Sequence, residues 1–203
     1  MNNRWNKWIY SLWSPVYDYF FNQGPFLKAR CEVFNGIDFQ AGDKVLFVGV
    51  GTGADLALVP VNQLEITAID YSEEMLQQAR KKFTSSVIKF HRMDAQELQL
   101  PDNSFDYVIA SLILYVVPDS GKTFSEMIRV TRQDGQIIIF DKFTTKPSLL
   151  KKVIRPVIKV FGTDIGLSFE KIAEGHDGQR IILLEDHPVM FGGMYRKIKI
   201  RKK

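Results

Sequence analysis

The 203-residue sequence contains a single cysteine, Cys31, and no long uninterrupted apolar run. One cysteine excludes an internal disulfide, and we expect Cys31 to be a small buried apolar residue. The three histidines (His91, His176 and His187) are scattered, so they supply no zinc ligand cluster. No apolar stretch approaches the roughly 18 residues that a membrane-spanning helix needs, and the N-terminus lacks the pattern of a signal peptide. These absences indicate a cytoplasmic protein with no bound metal.

Excess charge of one sign is also small, because 27 lysines and arginines stand against 23 acidic residues, giving a net charge of +4. The cations are unevenly placed, and six of the last eight residues are basic: Arg196, Lys197, Lys199, Arg201, Lys202 and Lys203. This basic C-terminus has two interpretations. It is either a solvated strand end or a surface that attracts nucleic acid or lipid headgroups.

After about residue 40 the sequence alternates short β-rich runs with helical segments, which predicts a mostly parallel sheet covered by helices. We predict strands at residues 44–48, 64–70, 87–92, 105–111 and 136–141. Ser72 is predicted to cap a helix, and a second helix is predicted at 122–131, closed by Asp134 and Gly135. The runs "QRIILLED" and "GGMYRKIKI", joined through Pro188, predict an antiparallel pair at the sheet edge.

Three alternating glycines, Gly49, Gly51 and Gly53, lie in "VLFVGVGTGADL" directly after the first predicted strand. Glycine there permits positive φ and lets a ligand contact backbone N–H groups. Together with Ala54, the spacing also satisfies the dinucleotide-binding fingerprint. Asp70 ends the second predicted strand, where a carboxylate can accept both ribose hydroxyls of a nucleoside or cap the next helix. These residues fit NAD and S-adenosylmethionine (SAM) equally well.

The segment "MDAQELQLPDNSFDYVIASLILYVVPD" separates the two cofactors, because here the sequence resembles the class I SAM-dependent methyltransferases. The resemblance covers about residues 40–145 and rests on four ordered motifs: the glycine loop, Asp70 with "YSEEML", "MDAQELQLP" and "EMIRVTRQDGQIII". It implies a Rossmann-like α/β fold with a seven-stranded, mostly parallel sheet, an antiparallel last strand, and helices on both faces. We expect residues 1–39 to form N-terminal amphipathic or lid helices and residues 40–203 to form the SAM-binding domain.

The resemblance also implies the cofactor-binding residues. The glycine loop would hold the methionyl part of SAM, Asp70 the ribose and Asp94 the adenine amino group. The full set that it implies is Gly49, Gly51, Thr52, Gly53, Asp70, Tyr71, Met75, Asp94, Ala95, Gln96, Ser111, Leu112 and Tyr115.

Phe47 departs from the family pattern, in which the position two residues before the first glycine is usually acidic. That carboxylate helps to order the glycine loop and favours the cationic amino end of SAM. Phenylalanine is either a harmless core replacement or a cause of weaker SAM binding, by roughly ten- to a hundredfold if one charged hydrogen bond is lost.

The first 21 residues hold eight aromatic side chains, and Trp5, Trp8 and Trp13 share one helical face with Ile9 and Leu12. This face suits either a membrane interface or a lid on the domain. The segment "WSPVYDYFFNQGPFLKAR" resembles the small bacterial phospholipid N-methyltransferases, which methylate phosphatidylethanolamine and bind membranes through an N-terminal amphipathic helix. This resemblance implies peripheral contact with the inner membrane face.

The leading hypothesis is therefore a SAM-dependent methyltransferase that acts on a lipid amine. Tyr17, Tyr115 and Asp141 are the candidate catalytic groups, and the sequence does not choose among them. One alternative is a methyltransferase for a soluble small molecule or quinone precursor. Another is a binding module with a degenerate SAM site. An NAD oxidoreductase rests on the glycine loop alone, and the sequence disfavours nucleic-acid methylation.

Overall fold

The structure, a computed structural model, describes residues 23–84, 87–143, 167–174 and 181–203. Two predictions lie outside these ranges, the tryptophan face at residues 5–13 and the candidate catalytic residue Tyr17. Within the described ranges, no helix is both long and apolar enough to cross a bilayer.

Seven strands form one mixed sheet in the order β3-β2-β1-β4-β5-β7-β6. The strands from β3 to β5 are parallel, whereas β7 runs antiparallel to both β5 and β6. This confirms the predicted sheet and its antiparallel edge pair. The strands are β1 (Lys44–Val48), β2 (Glu65–Asp70), β3 (Lys89–Arg92), β4 (Phe105–Ser111), β5 (Thr131–Lys142), β6 (Ile181–Met190) and β7 (Tyr195–Lys202).

The described residues also form four α-helices and three short 3-10 segments. Ser72 caps the second helix as predicted, because its Oγ accepts a hydrogen bond from the Met75 N–H at 3.2 Å. The helices are α1 (Gly24–Phe34), α2 (Glu73–Lys82), α3 (Ser120–Val130) and α4 (Phe169–Ala173), and the 3-10 segments are Asp55–Leu58, Val61–Gln63 and Phe191–Gly193.

The sheet has an apolar core on each face, as a mostly parallel sheet requires. One core packs β4 and β5 against α3 and α4 and includes Phe124 and Phe169. The other includes Val33 of α1 and Leu76 of α2. Because both faces are covered, the functional groups must lie along the ends of the strands.

The structure corrects three details of the sequence-based prediction. Helix α3 ends at Val130 and passes directly into β5, so Asp134 and Gly135 lie within that strand instead of closing the helix. Asp134 has φ 60°, as in a bulge, and the β4–β5 register shifts between Phe105 and Tyr107. The turn between β6 and β7 is formed by Phe191–Gly193, whereas Pro188 lies within β6.

The third correction concerns Cys31, which is exposed, not buried. Helix α1 turns its other side to the sheet, and the buried residues of that side are Ala29, Arg30, Val33 and Phe34. Arg30 is buried because it forms an ion pair with Asp55, which follows the glycine loop. This pair ties α1 to the base of the loop.

Candidate functional site

A cleft of about 850 Å³, open to solvent, lies at the carboxyl ends of β3, β2, β1 and β4. The cleft lies where the strand order reverses around β1, the position at which open α/β sheets bind ligands. The fold therefore brings the ends of four strands to one place.

The glycine loop forms part of the cleft. Gly49 has φ +70°, and a Cβ atom there would lie 2.8 Å from the side chain of Ile113. Gly51 has φ +56°, and an added Cβ would meet no atom within 4 Å. Glycine is thus needed at position 49 so that the Ile113 side chain can approach, while the space beside Gly51 stays open for a ligand.

Asp70 joins this loop to the end of β2. Its Oδ2 accepts a hydrogen bond from the Gly51 N–H at 2.8 Å, and its Oδ1 accepts one from the Ser72 N–H at 2.8 Å. Burial raises the pKa of Asp70, and these N–H donors oppose the rise. A carboxylate offers about four lone-pair sites. Asp70 can therefore hold the loop and still accept hydrogen bonds from a ligand.

Asp94 and Gln96 form the next part of the lining, after β3. Asp94 Oδ1 accepts hydrogen bonds from the backbone N–H of Gln96 at 2.9 Å and from its Nε2 at 3.0 Å. The Gln96 Oε1 in turn accepts from the N–H of Asp119, the residue that caps α3. This network fixes the Asp94 carboxylate beside the cleft.

Ser111, at the end of β4, also lines the cleft. Among the described residues its Oγ is one of two buried side-chain atoms without a hydrogen-bond partner. A buried hydroxyl without a partner is unfavourable by about 1–3 kcal/mol. A polar ligand group would relieve that cost, so Ser111 fits a cofactor with charged and polar ends.

The opposite wall of the cleft is the segment after β4, which contributes Leu112, Ile113, Val116, Val117 and Pro118. Leu112 has φ 58°, which is unfavourable for a non-glycine residue. Its N–H donates to the Phe140 carbonyl at 2.7 Å, which holds the segment against β5.

Asp141 holds this wall in place through hydrogen bonds and is only 1% exposed. Its Oδ2 accepts from the Leu114 N–H at 2.8 Å and the Tyr115 N–H at 3.3 Å, and its Oδ1 accepts from the Lys142 N–H at 2.7 Å. Burial raises the pKa of Asp141 to about 7 against the opposing effect of these donors. Asp141 therefore positions the wall.

Ten of the thirteen predicted cofactor residues line the cleft. Thr52, Gly53 and Tyr115 do not: Thr52 is buried, a Cβ at Gly53 would meet Phe83, and Tyr115 lies under the Lys142 ammonium at 5.0 Å. Sequence reasoning missed other lining residues, although the apolar run after β4 could have indicated some of them. They are Ile69, Ser72, Met93, Ile113, Val116, Val117 and Pro118.

The candidate catalytic groups are not brought together in the cleft. Tyr17 lies outside the described residues, and neither Tyr115 nor Asp141 lines the cleft. Asp141 is fully covered by the wall segment that it holds. From this placement we infer that Asp141 is a positioning residue, and its role as a catalytic base stays a prediction.

Phe47 is 1% exposed and packs in the core shared with α1. The loop amide of Gly51 already receives a carboxylate oxygen, from Asp70. An acidic residue at position 47 is therefore not needed to order that part of the loop.

The basic C-terminus is largely paired within the protein. Arg196 forms ion pairs with Asp186 and Glu170. Lys197 and Lys199 approach Glu185 at 3.1 Å and 3.7 Å. The Lys202 Nζ donates to the carbonyl oxygens of Ile128 and Thr131, each at 2.7 Å, at the end of α3. Four of the six predicted cations thus have structural roles, which weakens the interpretation as an anion-attracting surface.

No group of three or more metal-ligating side chains is found in the part of the chain that the structure describes. The site instead combines backbone N–H groups, two carboxylates, one free hydroxyl and an apolar wall. This arrangement suits an organic cofactor with a ribose and charged groups.

Comparison with known proteins agrees with this geometry. A family model described as a methyltransferase domain matches residues 46–139. The chain is 30% identical over 204 residues to a phosphatidylethanolamine N-methyltransferase of Cereibacter sphaeroides, with 96% of each chain covered. It is 32% identical over 158 residues to a demethylmenaquinone methyltransferase of Listeria monocytogenes, covering 71% of this chain and 65% of that relative.

Solved structures support the fold. A chain of the complex between the Haloferax volcanii Trm112 methyltransferase activator and a methyltransferase superposes with a TM-score of 0.78 at 16% identity, covering 97% of this chain and 96% of that chain. A Haemonchus contortus phosphoethanolamine N-methyltransferase 2, bound to phosphomonomethylethanolamine and S-adenosylhomocysteine, gives a TM-score of 0.72 at 16% identity, covering 93% of this chain and 56% of that chain. Sequence, strand order and cleft agree, and the chain therefore belongs to the class I SAM-dependent methyltransferases.

Proposed function

We propose that this methyltransferase transfers methyl groups from SAM to the amine of a phosphatidylethanolamine-type phospholipid at a membrane surface. The observation that carries the proposal is the match to a phosphatidylethanolamine N-methyltransferase, which extends over 96% of both chains. It thus includes the segments on both sides of the shared methyltransferase domain.

The cleft provides a binding partner for each polar part of SAM. Asp70 would accept hydrogen bonds from the ribose, Asp94 would accept from the adenine amino group, and Tyr71 and Met75 would pack near the adenine. The glycine loop and the Ser111 hydroxyl would hold the methionyl end. When bound, SAM supplies an electrophilic methyl group.

The chain contributes mainly positioning and exclusion of water. Leu112, Ile113 and Val116 present apolar surface on the cleft wall, and Asp141 keeps that wall in place. The acceptor must present an uncharged amine, since an ammonium group has no free lone pair. Tyr115 and Tyr195 lie near Asp141 at the same sheet edge, and burial followed by the charges of Asp141 and Tyr115 raises the pKa of Tyr195. Since neither tyrosine is among the residues that line the cleft, no described side chain is assigned as a base, and the proton is lost to solvent.

The experiment combines cofactor binding with methyl transfer by the full-length protein. We expect calorimetry to give micromolar affinity for SAM and S-adenosylhomocysteine and no affinity for NADH. We expect mass spectrometry to detect mono-, di- and trimethylated products after incubation with SAM and phosphatidylethanolamine vesicles. SAM binding without any methylated lipid would overturn the proposed acceptor, and absence of SAM binding would favour a degenerate binding module.

A quinone precursor is the second candidate acceptor, because the chain is 32% identical to a demethylmenaquinone methyltransferase. That match covers only 65% of the relative. The same assay with demethylmenaquinone in place of the phospholipid distinguishes the two. Methylation of the quinone alone would select this candidate and make the N-terminal aromatic segment a lid.

We further propose that the protein is cytoplasmic and peripheral at the inner membrane face. The support is the aromatic face at Trp5, Trp8 and Trp13 in the sequence. Fractionation of cells that produce the protein tests this location. Recovery in the membrane fraction that is released by high salt would support it, and recovery only in the soluble fraction would contradict it.

A further inference from the structure

The turn between β6 and β7 exposes two large apolar side chains within four residues, Phe191-Gly192-Gly193-Met194, which we call the apolar tip. Phe191 is 57% exposed and Met194 is 43% exposed. Single exposed apolar residues are ordinary on protein surfaces. Two of them at the end of one hairpin, separated only by glycines, form a compact apolar projection.

The backbone of the apolar tip holds these side chains outward. Phe191 has φ 49°, an unfavourable conformation for a non-glycine residue. Gly192 follows with φ +62°, and a Cβ added there would meet no atom within 4 Å. No other part of the protein therefore packs against the turn at Gly192 within the described residues.

The tip is fixed to the sheet edge that carries the cleft. The Phe143 N–H donates to the Met194 carbonyl at 2.9 Å, one residue beyond the end of β5. The Phe191 ring packs edge-on against Phe26 at 6.1 Å and against Tyr195 at 5.9 Å. Since Tyr195 pairs with Lys142 at the end of β5, the tip projects from the same edge at which Asp141 supports the cleft wall.

Two stretches of the sequence that adjoin this part of the fold lie outside the described residues. Residues 1–22 lead into α1, whose Phe26 touches Phe191, and they contain all three tryptophans. Residues 144–166 follow Phe143, and they contain five lysines and arginines against one aspartate. The sequence that adjoins this corner of the fold thus combines aromatic and cationic residues, a composition that suits an anionic bilayer surface.

We propose that the apolar tip inserts into the headgroup and acyl-chain boundary of an anionic bilayer and turns the cleft-bearing edge of the sheet toward the lipid. This inference deepens the proposed function and rests on it, because a lipid acceptor has to be reached from the bilayer surface. The bilayer is favoured over a protein partner because the adjoining sequence is rich in tryptophan and in cations, the composition of segments that bind membrane interfaces.

The test compares two paired substitutions in the full-length protein. The tip variant carries Phe191→Ser and Met194→Ser. The matched control carries Leu183→Ser and Leu184→Ser, which removes two exposed apolar side chains of β6, 53% and 42% exposed, away from the tip. Binding is measured by co-sedimentation with vesicles of phosphatidylethanolamine and phosphatidylglycerol. We expect the partition coefficient of the tip variant to fall roughly tenfold and that of the control to stay within twofold.

A second readout separates membrane contact from chemistry. We expect both variants to keep the wild-type SAM affinity and the wild-type rate with a monomeric short-chain phosphatidylethanolamine. With vesicles, only the tip variant should lose rate. A wild-type protein that partitions through the tip yet methylates no lipid would support the membrane contact and overturn only the proposed acceptor.

Three results would overturn the inference. The tip variant could partition like the wild type, both paired variants could lose binding equally, or the wild-type protein could fail to bind vesicles. Circular dichroism and thermal melting of each variant show whether a loss of binding reflects unfolding. If the tip variant is unfolded, Phe191→Leu, which keeps an apolar side chain, should retain binding, whereas Phe191→Gln should lose it.

Discussion

Asp70 and Asp141 occupy equivalent positions, at the carboxyl ends of β2 and β5, yet they serve different regions of the molecule. Burial raises the pKa of both carboxyl groups, and both accept backbone N–H hydrogen bonds. Asp70 nevertheless lines the cleft, whereas Asp141 is covered by the wall segment that it holds. The comparison shows that a carboxylate at this sheet edge contacts a ligand or supports a loop according to what covers it.

Replacing Asp70 by alanine should give the largest effect on SAM binding. Two hydrogen bonds from ribose hydroxyls to a charged acceptor are lost, each contributing about 1.5–3 kcal/mol, so we expect SAM affinity to fall at least a hundredfold. Calorimetry measures the change. Asp70→Asn keeps one acceptor oxygen and should lose roughly tenfold. Equal SAM affinity in the wild type and Asp70→Ala would show that Asp70, like Asp141, supports a loop and does not contact the cofactor.

Replacing Asp141 by alanine should lower the stability of the fold more than it lowers SAM affinity. The N–H groups of Leu114, Tyr115 and Lys142 lose their acceptor inside the protein, which we expect to lower the free energy of unfolding by about 3 kcal/mol. Urea denaturation measures this change. Asp141→Asn keeps a carbonyl oxygen and should lose about half as much. A large loss of SAM affinity in Asp141→Ala at unchanged stability would contradict a positioning role.

The raised pKa of Asp141, about 7, predicts a pH dependence of stability. In the native state Asp141 keeps its proton up to about pH 7. In the unfolded chain it releases the proton above the ordinary aspartate pKa of about 4. Stability due to this group is therefore fully present at low pH and is lost as the pH rises through about 7. We expect the unfolding free energy of the wild type, relative to Asp141→Asn, to fall between pH 5 and pH 8. A difference that stays constant between pH 5 and pH 8 would show that Asp141 is ionised in the native state throughout this range.

Ser111→Ala should have the smallest effect of these substitutions, and it tests whether Ser111 contacts the cofactor. The hydroxyl has no partner among the described residues, so its removal should leave the stability of the ligand-free protein unchanged or slightly higher. SAM affinity should fall about three- to tenfold, as expected for one neutral hydrogen bond. Thermal melting with and without SAM measures both changes. An unchanged SAM affinity would place the cofactor away from Ser111.

The cofactor half of the fold could be predicted from sequence because its motifs act through the backbone and through strand ends. The predicted β1 and β4 agree with the structure at both ends, and Asp70 and Ser111 lie in the cleft as expected. A glycine loop after a buried strand and an acidic residue at the next strand end are local signals. They do not depend on the packing of distant segments.

The pairing of side chains in the C-terminal strands could not be predicted, because it depends on contacts between residues that lie far apart in the sequence. The basic run at 196–203 looks solvated in sequence, but its members meet Glu170, Glu185 and Asp186 and the end of α3. The exposure of Cys31 could not be predicted for a similar reason. The apolar character of the residue did not reveal which side of α1 faces the sheet. The role of Asp141 depends on a loop 26 to 27 residues away in sequence.

The two outer strands of the sheet also affect how the protein behaves at high concentration. An unpaired strand edge is a template for association with other chains, and charged residues, proline and short length are the usual protection. At one edge, β3 has only four residues and exposes Lys89, His91 and Arg92. At the other edge, β6 carries Pro188 after Glu185, Asp186 and His187. Both edges therefore oppose growth into intermolecular sheets, which would keep the enzyme dispersed even when many copies crowd together on one surface.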